Sequence, residues 1–207
     1  MLTLYAQLTV IAAFLVVTVV LGVAIRRNPT KDAAHRLSRI SHAFFWLSLV
    51  PLYVGVVSPG LTHFDELTGL TPLPWPVARW VVGVPMLLAG LFFSVKSMRA
   101  LKQLGAGAMA FKLTQSVVAA DVYERVRNPM SLGLYLQFTA VSLLVGSTTL
   151  LLGCLCFYVP VHVFNLWFFE ERELSARHGP SYDEYRARVP FLIPRLRVRP
   201  GTAVTSA

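Results

Sequence analysis

The sequence predicts an all-α, multi-pass integral membrane protein with about five transmembrane helices and a pocket on the cytoplasmic side. Three observations carry this. Hydrophobic residues make up 55% of the chain and the mean hydropathy is +0.59, against about 45–50% apolar residues in soluble domains. Charged residues are only 14% and lie in blocks between apolar runs. Residues 132–169 contain no Asp, Glu, Lys or Arg, a stretch too long for one bilayer crossing and suited to two. The net charge of +9 raises nucleic acid as a partner, but no nucleic-acid motif accompanies the basic residues, so none is expected.

Residues 4–25 form the first span, with no basic region before it and Arg26-Arg27 after it, the wrong polarity for a cleaved signal peptide. Asn28-Pro29 ends it. Residues 40–57 make a second span, which tolerates Pro51 where neighbouring groups satisfy the freed carbonyl. A Pro/Gly-rich loop with Asp65 and Glu66 follows. Trp75 and Trp80 bracket the start of the third span, residues 77–95, as interfacial aromatics do. Lys96, Arg99 and Lys102, beside Met98, Leu101 and Leu104, give the look of a basic interfacial helix, broken at Gly105-Ala106-Gly107. Residues 131–169 predict a helical hairpin turning at Gly146-Ser147-Thr148. Glu173 and Arg177 then face each other one turn apart on a helix stopped by Gly179-Pro180. A short helix near 182–188 precedes a disordered end.

This topology places every Lys and Arg except Arg79, of 19 in all, on one side. By the positive-inside rule that side is cytoplasmic, as in a bacterial inner membrane, with the N-terminus outside and the C-terminus within. Cys154 and Cys156 point about 200° apart on a helix and read as small buried hydrophobes. No Cys or His spacing suits a metal, and none is expected.

The hairpin returns its two ends to one membrane face. At the entrance stand Arg127, Asn128 and Pro129; at the exit stand Glu170 and Glu171. Pro129 suits a helix start, whose free N–H groups favour a carboxylate, and Arg127 adds a bidentate fork. The alternative for Arg127 is a headgroup anchor. Glu170 and Glu171 mark a membrane edge or bind ribose hydroxyls, a sulfonium or an amine. His162 and Asn165 share a face with Glu173 inside the apolar run. They line a cavity or bond between helices.

From about residue 101 to 195 the chain resembles the isoprenylcysteine carboxyl methyltransferase / phospholipid methyltransferase superfamily. That family carries a Leu-Gly element, then Gly-Pro-Tyr-x-Tyr-x-Arg-His-Pro-x-Tyr-x-Gly, an apolar hairpin, a Glu-Glu pair and a tail of the type Phe-Gly-x-x-Tyr-x-x-Tyr-x-x-x-Val-Pro. The matching positions are Leu104-Gly105, residues 123–133, Glu170-Glu171, His178-Gly179-Pro180-Ser181-Tyr182 with Tyr185, and Val189-Pro190. Asp121-Val122 replaces Gly-Pro, and Arg125, Asn128 and Ser131 replace Tyr, His and Tyr.

The resemblance implies a membrane methyltransferase using S-adenosyl-L-methionine, with residues 1–95 as three N-terminal spans and 96–207 as the catalytic core. It implies that Leu104, Gly105, Tyr123, Arg127, Asn128, Pro129, Gly133, His162, Asn165, Glu170 and Glu171 line the cofactor pocket. Arg127, Glu170 and Glu171 are the catalytic candidates, and Arg186 and Arg188 the substrate contacts. The acceptor is a membrane lipid or lipid-like molecule bearing a carboxylate, amine or thiol. An amine or thiol must lose a proton, to a Glu or to His162. Two other readings stay open: an NADPH-dependent reductase of the sterol-reductase type, and a non-catalytic membrane protein that keeps the fold.

Overall fold

The computed structural model describes residues 2–57, 63–104 and 114–195, and every regular element among them is helical. Helix α1 (Leu2–Arg27) and α2 (Lys31–Val57) form an antiparallel pair. Asn28-Pro29-Thr30 joins them, and Thr30 Oγ1 caps α2 by accepting from the Ala33 amide at 3.3 Å. Short α3 (His63–Thr68) precedes α4 (Pro76–Leu104), which packs along α5 (Pro129–Val145). One continuous helix, α6 (Thr148–His178), then runs back, and α7 (Pro180–Arg188) follows Gly179.

Each of the five expected spans coincides with a helix. Tyr5–Arg27, Pro76–Leu104 and Thr148–His178 are long and apolar enough to cross a membrane. Helix α5, 17 residues and so about 26 Å long, is apolar but shorter. The expectation of a separate interfacial helix is corrected. Residues 96–104 simply extend α4, because nothing before Leu104 breaks it and Ser97 and Ala100 are buried where the helix meets the 118–123 segment. The expected break at Gly105-Ala106-Gly107 lies outside the described residues.

The hairpin turn falls at Gly146 and Ser147, as expected. Gly146 sits at φ 81°, the left-handed geometry that lets α5 end abruptly. Ser147 caps α6 through Leu150 N at 3.2 Å. Helices α4 and α5 approach closely at Gly90 and Gly133: a Cβ on Gly133 would lie 2.6 Å from Ser94 Oγ and 2.7 Å from the Gly90 carbonyl oxygen. Gln137 spans the same contact, donating to Ser94 Oγ at 2.7 Å. On the other side, Leu21 and Ile25 of α1, Ala33 and Ala34 of α2 and Phe169 of α6 share one apolar cluster. That cluster sets α6 antiparallel to α2, with the last turns of α6 against the first turns of α2.

Candidate functional site

Two stretches of α6 widen into π-turns, at Gly153–Tyr158 and Leu166–Glu170. Such turns change which faces successive residues occupy and gather at functional sites. The second ends where Glu171 begins. Glu171 is buried, and its carboxylate collects three donors from distant parts of the chain. Arg127 Nη1 reaches Oε2 at 2.8 Å and Arg186 Nε reaches the same oxygen at 3.1 Å. The Tyr182 hydroxyl donates to Oε1 at 3.0 Å. With side-chain exposures of 11% and 6%, the Arg127–Glu171 pair is shielded from water and from salt.

The chain after α7 folds back onto this loop. The Arg127 amide donates to the Pro190 carbonyl at 2.9 Å, and the Asn128 side chain to the Phe191 carbonyl at 3.0 Å. The Tyr185 hydroxyl donates to the Tyr123 carbonyl at 2.9 Å. Asn128 is therefore spent on the tail and does not cap α5. Pro129 stands at the first position of α5, where its missing N–H costs nothing. Burial raises the phenols of Tyr123, Tyr182 and Tyr185 well above their ordinary value, with Glu171 adding to the effect at Tyr182. They stay protonated and serve as donors.

A second buried pair lies one turn on. Arg177 Nε stands 3.0 Å from Glu173 Oε1, an ion contact not aligned as a hydrogen bond, and Arg177 Nη1 donates to the Thr114 carbonyl at 3.1 Å. Glu170 differs from both neighbours. Half-buried, it makes no hydrogen bond or ion pair among the described residues, and its electrostatic neighbours are His42, Arg177 and Glu171. Arg127 Nε is likewise buried without an acceptor. Arg127 Nε belongs to the guanidinium that grips Glu171, and Glu170 is Glu171's chain neighbour, so both unbonded groups belong to or adjoin the same cluster and call for an explanation.

The structure brings together Tyr123, Arg127, Asn128, Pro129, Glu170, Glu171 and Arg186. It places the remaining candidates elsewhere. Gly133 is filled by the α4 contact described above. His162 lies two to three turns deeper on α6, its Nδ1 2.8 Å from the Tyr135 hydroxyl and its ring stacked on Phe45 at 4.5 Å. Asn165 accepts from Thr18 Oγ1 at 3.0 Å and Ser41 Oγ at 3.3 Å, tying α6 to α1 and α2. Both follow the interhelical alternative. Arg188 is exposed and donates to its own helix at Glu184 O; Leu104 is exposed, and Gly105 lies outside the described residues.

The departure at Asp121 has a structural reading. Asp121 adopts φ 56°, where the family pattern has Gly, and Asp is among the residues that tolerate that region. Its carboxylate turns outward to Lys96 at 3.4 Å.

Residues 78–180, which hold Arg127 and both adjacent carboxylates, match the profile of a family described as phospholipid methyltransferase. Through this segment the chain belongs to the phospholipid methyltransferase family. Among curated proteins it is similar to methanethiol S-methyltransferase 2 of Bradyrhizobium diazoefficiens, 38% identical over 88 residues, or 42% of this chain and 32% of that protein. It is also similar to methanethiol S-methyltransferase of Crocosphaera subtropica, 32% identical over 72 residues, or 35% of this chain and 27% of that one. The chain thus matches about a third of the length of these relatives. No solved structure matches it significantly.

Sequence reasoning had no role for Tyr135, His42 or Ser97. Tyr182 and Tyr185 were legible only as spaced tyrosines, and their contacts to Glu171 and Tyr123 depend on how the tail folds back.

Proposed function

We propose that this phospholipid methyltransferase-family chain is an S-adenosyl-L-methionine-dependent methyltransferase acting at the cytoplasmic membrane face, with residues 96–207 as its catalytic core and an apolar thiol as its acceptor. The observation that carries the reading is that Glu170 and Arg127 Nε, which belong to or adjoin the Arg127–Glu171–Arg186 cluster, make no hydrogen bond among the described residues. The residues fit the cofactor, which has an ammonium and ribose hydroxyls for Glu170 and a carboxylate for Arg127. The thiol follows from the names of the two relatives.

When bound, S-adenosyl-L-methionine supplies a methyl group already activated on a sulfonium. The chain has to hold its reactants in line and keep water out, and alignment alone accounts for about 7–11 kcal/mol of a barrier. Glu171, Tyr182 and Arg186 fix Arg127 in place, so that its open Nε faces a defined direction. Pro190 and Phe191 close over the loop and exclude water from it. The cytoplasmic placement follows from the basic residues at this end of the helices.

The test is incubation of the full chain in nanodiscs with S-adenosyl-L-methionine carrying a trideuterated methyl group, and with methanethiol. Deuterated dimethyl sulfide, detected by mass spectrometry and lost in Arg127→Ala, is the expected result. A folded sample that methylates neither the thiol nor an amine or carboxylate acceptor contradicts the proposal.

A further inference from the structure

We infer that His42, on α2 and outside the family-matched segment, is the proton acceptor of this site and works as a pair with Glu170. The inference rests on the methyl-transfer reading above and adds a residue from the N-terminal helices to it.

Three observations support it. The first is a fixed tautomer. His42 Nδ1 lies 2.8 Å from the Ser38 carbonyl of its own helix, and a carbonyl only accepts, so Nδ1 carries the proton and Nε2 keeps its lone pair. The second is register. Ser41 of α2 bonds Asn165 of α6 at 3.3 Å, Phe45 stacks on His162, and Ala33 and Ala34 pack with Phe169. His42 therefore lies on the part of α2 that runs beside the π-turn ending at Glu170.

The third is direction. Side chains lean toward the N-terminus of their own helix. Because α2 and α6 are antiparallel, His42 leans toward the cytoplasm and Glu170 toward the membrane interior, and they converge. Glu170 indeed has His42 as its leading electrostatic neighbour. Glu170 and His162, both on α6, have His42 among their electrostatic neighbours. His162, the base the sequence suggested, is held by Tyr135 and walled by Phe45, Phe14 and Tyr158. His42 is half-buried and keeps access.

The step is a proton transfer. The acceptor X–H bond breaks, its electron pair stays on X as the nucleophile, and Nε2 of His42 gains the proton to become an imidazolium. Glu170 neutralises that charge. A positioned base of this kind contributes about 10²–10⁴ in rate.

The test uses the full chain in detergent with histidines labelled by nitrogen-15, the His42 signals being assigned by their loss in His42→Gln. The expected spectrum shows the Nδ1–H tautomer, and Glu170→Gln displaces the His42 ring-nitrogen resonances. With methanethiol as acceptor, His42→Gln lowers kcat on the order of 10²–10⁴ fold, while S-adenosylhomocysteine binds as in the parent. Its rate then climbs about tenfold per pH unit below the thiol's own pKa, since only pre-formed thiolate reacts. An Nε2–H tautomer, His42 resonances indifferent to Glu170→Gln, or a variant with the parent's rate and pH profile overturns the inference. Failure of the parent to bind S-adenosylhomocysteine removes the methyl-transfer reading instead, leaving the tautomer and the His42–Glu170 coupling to stand or fall on the spectra.

Discussion

The two ends of the α5–α6 hairpin are both organised by a buried carboxylate, and they use it differently. At the turn end, Asp65 is almost fully buried and accepts from Ser147 Oγ at 3.0 Å, Thr148 N at 3.2 Å and Thr149 N at 2.7 Å. Its donors are neutral, they belong to the first turn of α6, and they consume it. At the open end Glu171 is held by two guanidinium groups and a phenol, and Glu173 by Arg177, while Glu170 is left over. One end closes a turn with every acceptor satisfied. The other carries one acidic group beyond what its structure needs, and a surplus half-buried carboxyl group is expected where a ligand completes the balance.

The largest effect that bears on this comparison is removal of the hub. Glu171→Ala leaves the Arg127 guanidinium shielded and uncompensated, so it should cost about 3–5 kcal/mol of stability, read as denaturant unfolding in detergent. Gly133→Ala forces α4 and α5 apart against the Gly90 backbone and should cost about 1–3 kcal/mol. Asp65→Ala, at the turn end, loses only a cap made to neutral groups and should cost about 1–2 kcal/mol. Should Asp65→Ala match or exceed Glu171→Ala, the contrast between the ends is wrong.

Smaller effects sharpen it. Asp121→Gly should be about 1 kcal/mol more stable than Asp121→Ala, because only the alanine must hold the left-handed backbone unaided; the exposed Lys96 pair adds little. Tyr182 and Tyr185 ionise later in the folded chain than in the unfolded one, where a phenol titrates near about 10. Their contribution is thus complete below that pH and is lost as pH climbs through the raised folded values. Unfolding measured from neutral to strongly alkaline pH should show the decline, and Tyr182→Phe should flatten it.

Much of this was legible in the sequence, for physical reasons. An uncharged run long enough for two spans forces its ends onto one face, so Arg127 meeting Glu171 followed from topology alone. Arg177 pairing with Glu173 followed from helical spacing, although its burial did not. The π-turn at Leu166–Glu170 has no sequence signature, so the separation of Glu170 from Glu171 in environment stayed hidden. His42 was one histidine among several until α2 was set against α6. Gly133 fitted the family motif, but the α4 backbone beside it accounts for it by packing. His162 and Asn165 showed the right periodicity for a pocket, and the partners that claim them lie on α1, α2 and α5, beyond the reach of spacing.

Calorimetry on the full chain in detergent, with S-adenosylhomocysteine titrated into the parent and into Glu170→Gln, tests the surplus carboxylate most directly. The expected result is saturable heat with the parent and affinity at least about tenfold weaker in the variant, a loss of about 1.4 kcal/mol, with unchanged melting temperatures. A folded parent that gives no heat, or a variant that binds as tightly as the parent, contradicts it.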